Sequence, residues 1–213
     1  MSDQQLRDET MTLLLAGHET TALALSWTWY LLGSNPGVEK SVHRELASAL
    51  GSKTPTAEDL PRLPYTEKVV KEAMRLYPPA YVILRLALEP LEIGGYELPA
   101  GSSVGISPWV THHDARYFPE PEKFAPERWT DTFMQKLPRF AYIPFGGGPR
   151  ICIGAQFAMM EAVLVLATVA RKFEIRPAVS EKPELFPSIT LRPKNGIRAT
   201  VVPRAAAANS LSA

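Results

Sequence analysis

The chain has 213 residues, with 23 Lys+Arg against 22 Asp+Glu, 46% hydrophobic residues and one cysteine. That is enough apolar material for one or two globular domains, and a net charge of +1 supplies no field that would draw in nucleic acid or an anionic membrane. The solitary Cys152 excludes an intramolecular disulfide framework and any zinc site built on several cysteines, and it is compatible with a cytosol.

Residues 1–11 are polar and acidic and lack the basic and apolar regions of a secretion signal. Strong helix formers then run without proline from Gln4 to Leu32, which predicts a long core helix of about 45 Å, stopped by Asn35-Pro36-Gly37. The uncharged stretch over residues 20–38 is too interrupted to supply the ~20 apolar residues of a spanning helix, so no transmembrane segment is expected. A second helix is predicted from Pro36 to Gly51 and a third over residues 63–76, ended by Pro78-Pro79. Between Pro78 and Pro144 short alternating runs and the turns Gly94-Gly95 and Pro99-Ala100-Gly101 predict small hairpins, followed by proline-rich loops. A last helix over residues 155–172 is nearly uncharged apart from Glu161 until its final turn, and is expected to be buried. Residues 179–202 read as terminal strands with Asn195-Gly196 as a hairpin turn, and residues 205–213 as a disordered tail.

Around the cysteine the sequence is Pro144-Phe145-Gly146-Gly147-Gly148-Pro149-Arg150-Ile151-Cys152-Ile153-Gly154. As a phosphate loop it fails: Ile151 stands where the third glycine of a dinucleotide fingerprint belongs, no Gly-Lys-Ser/Thr follows, and the next arginine after Cys152 is Arg171. A buried, inert cysteine is the alternative. Against it, Cys152 directly precedes a predicted helix N-terminus, whose free N–H groups suit a thiolate. The glycines allow loop amides to approach the sulfur, Phe145 offers apolar shielding and Arg150 a nearby cation.

The spacing Phe-x-x-Gly-x-Arg-x-Cys-x-Gly resembles the haem-binding signature of the cytochrome P450 monooxygenases, matched at Phe145, Gly148, Arg150, Cys152 and Gly154. The resemblance implies a mainly α fold with small β-sheets, the carboxyl-terminal part of the cytochrome P450 domain over residues 1–204. It implies that Cys152 is the axial ligand of haem iron, a thiolate that favours O–O cleavage, and that Arg150 pairs with a haem propionate.

Three further groups of residues agree in order along the chain. Ala16-Gly17-His18-Glu19-Thr20-Thr21 resembles the family's distal oxygen-binding helix, with Gly17 opening a groove for O2 and Glu19 and Thr20 relaying protons through water. The plainer alternative is a glycine in close helix packing and a threonine bonded to its own turn. Glu72 and Arg75 form a Glu-x-x-Arg pair, and Pro126-Glu127-Arg128-Trp129 resembles the segment that adds Arg128, which implies a buried structural ion network. Taken alone, a Glu and an Arg at this spacing are more often an exposed pair. Arg85 and His112 match propionate contacts, and Tyr81, Val82, Ile83, Ile189 and Thr190 match positions lining the substrate cavity.

The resemblance therefore implies a cytoplasmic monooxygenase using haem b and O2. Electrons would come from NAD(P)H only indirectly, through a ferredoxin or flavoprotein, and one oxygen atom would enter a small, apolar organic substrate. The match begins inside the family's distal helix, so the chain is expected to be a fragment of a longer protein. A truncated, non-catalytic haem binder and a structural helical protein are the alternatives.

Overall fold

The computed structural model describes residues 1–178 and 182–204. The tail expected over residues 205–213 lies outside the described residues, as does the start of the expected terminal strands. Helix α1 (Asp3–Ser34) opens on a capping box between Ser2 and Gln5. Its two halves differ. Thr21, Ala24, Trp27, Thr28, Leu31 and Leu32 are buried, whereas residues 1–18 are all exposed, Leu6, Met11, Leu13, Leu14 and Leu15 included. The expected core helix is therefore a core helix only in its second half, because no described element packs over the first.

Helix α2 (Pro36–Leu50) has its proline in the first turn and Gly51 at its end with φ +54°, and buries Val42, Leu46 and Leu50. Helix α3 (Pro64–Leu76) buries Val69, Val70, Ala73, Met74 and Leu76, together with Glu72 and Arg75. Glu45 of α2 caps its start, its carboxylate accepting from the amides of Tyr65 at 2.6 Å and Thr66 at 2.8 Å. Two short helices, α4 (Pro108–His112) and α5 (Asp131–Lys136), interrupt the loops that follow. Helix α6 (Ala155–Lys172) buries Ala162, Val163, Leu166, Ala167 and Ala170. The expectation of a wholly buried last helix is corrected at its beginning, where Phe157 is 64% exposed. The second half of α1 shares one apolar core with α2, α3 and α6.

The strands form four two-stranded antiparallel sheets. Strand β1 (Ile83–Leu86) pairs with β4 (Ser103–Ile106), and β2 (Leu91–Ile93) with β3 (Tyr96–Leu98). Gly94 and Gly95 turn the second hairpin at φ +58° and +84°, a region that glycine enters without penalty. Strand β5 (Phe173–Pro177) follows α6 directly and pairs with β8 (Ala199–Pro203), while β6 (Leu185–Pro187) pairs with β7 (Leu191–Pro193). Asn195-Gly196 is a turn, with Gly196 at φ +70°. It is not the tip of a hairpin, because β7 and β8 on either side of it belong to different sheets. Among the described residues no helix is long and apolar enough to cross a membrane.

Candidate functional site

The cysteine loop enters α6 through a single 3-10 turn, Gly148–Arg150. Gly146 and Gly148 hold φ +75° and +70°, so the chain doubles back tightly enough for the Cys152 amide to donate to Phe145 O at 2.9 Å. The thiol is free and exposed. The loop amides close the loop on itself, with Ile151 donating to Gly148 O at 3.1 Å, and among the described residues none donates to the sulfur. A Cβ on Gly154 would stand 3.8 Å from the sulfur, so the glycine leaves that side open. Ile151, Ile153 and Phe157 stand 54%, 92% and 64% exposed beside it, an apolar rim that faces solvent in this chain.

Strand β1 joins this site from the side. Ile83 Cδ1 lies 3.6 Å from where a Cβ on Gly146 would be, and Arg85, two residues on, projects from the same strand face. Arg85 donates only to Leu84 O at 2.8 Å, and Arg150 makes no salt bridge among the described residues. Two guanidinium groups without carboxylate partners among the described residues therefore lie on the cysteine loop and on the strand that meets it at Gly146.

Beneath the loop, Glu72 is fully buried and every side of its carboxylate is occupied. Arg75 donates to both oxygens, at 3.0 and 2.9 Å, and Arg128 Nε donates at 2.8 Å. The Ala125 amide at 3.1 Å and Trp129 Nε1 at 3.0 Å complete the set. Arg75 also donates to the carbonyls of His112, Pro121 and Lys123, and Arg128 to that of Pro119, so the network ties α3 to the loops before α5. The expected triad is assembled, and it is buried.

On α1, Thr20 Oγ1 donates to Ala16 O at 2.7 Å, the bond to its own turn that was the plainer alternative. A Cβ on Gly17 would meet nothing within 4 Å, so this glycine serves no helix packing among the described residues. Glu19 Oε1 accepts from Thr190 Oγ1 at 2.6 Å and is 2.6 Å from Arg192 Nη2.

Residues 1–200 match the family model described as Cytochrome P450. The chain belongs to the cytochrome P450 family. Cyclooctatin synthase of Streptomyces melanosporofaciens is 48% identical over 191 residues, covering 90% of this chain and 42% of the relative. Cyclooctat-9-en-7-ol 5-monooxygenase of the same organism is 42% identical over 177 residues, covering 83% and 39% respectively. Human cytochrome P450 4V2 is 42% identical over 200 residues, covering 92% and 38%. The chain thus spans about two fifths of the length of the relatives it matches.

Cytochromes P450 use haem and O2, and the residues here fit a haem by their own chemistry. A soft sulfur donor stands exposed on a loop fixed by two left-handed glycines, exposed apolar side chains flank it along the chain, and two guanidinium groups unpaired among the described residues suit propionates. His112 is placed differently, in the core. Its ring is fully buried, tilted against Tyr142 at 5.1 Å between centroids, and its Nε2 accepts from the Ile143 amide at 2.9 Å. Through Nε2 it braces the strand of loop that leads to Phe145, while its buried Nδ1 has no hydrogen-bond partner among the described residues. Burial, and after it the charge of Arg75, hold its pKa down at about 3, so the ring is neutral.

The expected cavity residues come together in part. Tyr81 donates to Ser188 O at 2.8 Å, which brings the start of β1 to the turn carrying Ile189. Ile189 is 90% exposed, Val82 and Ile83 are half-buried, and Thr190 is buried against Glu19. The sequence missed Arg192 and Trp129. For Trp129 the signal was its place directly after Arg128; Arg192, far from Glu19 along the chain, had no local signal.

Proposed function

We propose that this chain carries the haem-binding and oxygen-activating part of a cytochrome P450 monooxygenase that inserts one oxygen atom into a small, apolar organic substrate. The observation that carries the reading is the exposed Cys152 thiol at the apex of a glycine-fixed loop with an apolar rim. Haem b, when bound, supplies the activation of O2 by two electrons delivered from a ferredoxin or flavoprotein that draws on NAD(P)H.

The chain's own residues do the rest. Cys152 would hold the haem iron, Gly148 and Gly154 keep the loop close and the sulfur uncovered, and Phe145 anchors the start of the loop to the apolar core. Arg85 and Arg150 neutralise the propionates. Gly17 leaves α1 open at the distal side. With its hydroxyl proton committed to Ala16 O, Thr20 Oγ1 keeps its lone pairs to accept from a water, and Glu19 relays protons through that water. Tyr81, Val82, Ile83, Ile189 and Thr190 border the substrate, and Glu72, Arg75 and Arg128 hold the loop support rigid. One relative, cyclooctat-9-en-7-ol 5-monooxygenase, is by its name a monooxygenase of an organic alcohol, which supports oxygen insertion into an organic substrate. The exposed thiol suits a reducing compartment, and the cytoplasm is the proposed location.

A second reading, a haem binder without oxygen activation, is favoured by one observation: the first half of α1 is uncovered up to His18. The two are separated by experiment. The chain is reconstituted with haem, reduced under carbon monoxide, and its Soret band recorded. A strongly red-shifted thiolate-carbonyl band is expected in the wild type and not in Cys152→Ser, with far-UV circular dichroism unchanged because the thiol is exposed; the band persisting in the variant overturns the ligand. Substrate-dependent NAD(P)H consumption with a redox partner then distinguishes the enzyme from the inert binder.

A further inference from the structure

The hairpin β6–β7 is fastened to α1 through its second strand. Leu191 is buried, its carbonyl accepts from Trp27 Nε1 at 3.1 Å, and its amide donates to Pro79 O at 2.9 Å. Thr190, immediately before β7, and Arg192 within it both reach the same oxygen of Glu19. The hydroxyl of Thr190 and Nη2 of Arg192 each lie 2.6 Å from Oε1, and Arg192 Nε donates to Thr190 Oγ1 at 3.3 Å. Oε2 has no hydrogen-bond partner among the described residues.

Two physical points give this cluster a role. Neighbouring residues on a helix do not face each other, so nothing within α1 aims the Glu19 carboxylate relative to Thr20; its direction comes from the partner strand. With Arg192 and Glu19 side chains 46% and 37% accessible, the ion pair contributes little to stability. What the contact provides is orientation: one oxygen is committed to two donors, and the other is turned free toward water.

We propose that Arg192, working with Thr190, is a positioning residue for the Glu19 carboxylate, presenting its free oxygen for proton delivery on the distal side. The proposal rests on the monooxygenase reading above. Its effect passes through Glu19, so loss of Arg192 removes what Glu19 does and nothing more.

The test has two readouts. On the haem-free chain labelled with 13C at the glutamate side-chain carboxyl, the Glu19 resonance is assigned by its loss in Glu19→Gln. It is expected to move in Arg192→Ala and to return toward the wild-type position in Arg192→Lys; an unmoved resonance overturns the contact. On the haem-loaded protein with donor and substrate, Arg192→Ala is expected to raise severalfold the share of electrons released with O2 and protons as hydrogen peroxide, with the thiolate-carbonyl band unchanged. Combined with Glu19→Gln it is expected to add nothing further; additive effects overturn the positioning role. A missing thiolate-carbonyl band in the wild type sinks the monooxygenase reading instead, and leaves the carboxyl resonance to decide the contact by itself.

Discussion

The guanidinium of Arg128 donates to the carboxylate of Glu72 at 2.8 Å across 56 residues of sequence. The bond joins a helix to a loop that has almost no regular structure of its own. Around it, Arg75, Trp129 and the Ala125 amide fill the other positions on the carboxylate, so Glu72 and Arg75 are fully withdrawn from water, Arg128 is nearly so, and none is left unpaired. Such a network specifies how the loops before the cysteine lie on α3, which in turn sets where Cys152 stands.

Removing one member leaves the others charged and buried. Glu72→Ala is expected to destabilise the chain by about 3–5 kcal/mol, because Arg75 is fully buried and loses its only carboxylate. Urea unfolding followed by circular dichroism measures it. A loss below about 1 kcal/mol, the range of exposed pairs, contradicts the buried geometry.

His112 makes stability depend on pH. Its folded pKa is lowered from 6.5 to about 3, by burial first and then by Arg75, so between those values the unfolded chain binds a proton that the folded chain does not. Stability is therefore present above pH 6.5 and falls as the pH drops toward 3, with a slope of about 1.4 kcal/mol per pH unit. His112→Gln keeps an acceptor for the Ile143 amide and cannot charge. Its urea midpoint is expected to fall less steeply with acid than that of the wild type; parallel curves would show that another group carries the effect.

Local chemistry was legible in the sequence where it is dense. The cysteine loop packs five matched residues into ten positions, and the structure gives it the tight turns its glycines call for at Gly146 and Gly148. Glu72 and Arg75 were legible as a pair one helical turn apart, but their burial depends on Ala125 and Trp129, which only the folded chain brings near. Contacts made over long separations had no local signal: Thr190 and Glu19 stand 171 residues apart. For the same reason Asn195-Gly196 was readable as a turn while its flanking strands were not readable as partners of β6 and β5. The apolar run of α6 announces a core helix, yet composition does not say which end borders the open site.

Trp27 tests how β7 is held. Its ring stacks on Tyr77 at 4.2 Å, and its Nε1–H is the bond that fastens the Leu191 carbonyl. Trp27→Phe keeps an aromatic ring in the stack and removes the donor, leaving a buried carbonyl unpaired at a cost of about 1–3 kcal/mol. Amide exchange at Leu191 and Arg192 is expected to quicken more than exchange in α3. Equal changes in both would mean that the variant loosens the core as a whole.

Two glycines of α1 make a paired prediction with opposite signs. At Gly17 a Cβ meets nothing within 4 Å, so Gly17→Ala gains the helix propensity of alanine, about 1 kcal/mol, without any clash. At Gly33 the same methyl would run into the Pro177 ring and stand 2.9 Å from Ile175 O, on the strand that packs across the end of the helix. Gly33→Ala must push β5 away and is expected to lose about 1–3 kcal/mol or more. Thermal unfolding of the two variants should move the midpoint up for Gly17→Ala and down for Gly33→Ala. A fall for Gly17→Ala in this chain would mean that an element packs against that face of α1, which is the opposite of the open distal side on which the proton-relay assignment of Glu19 and Thr20 depends.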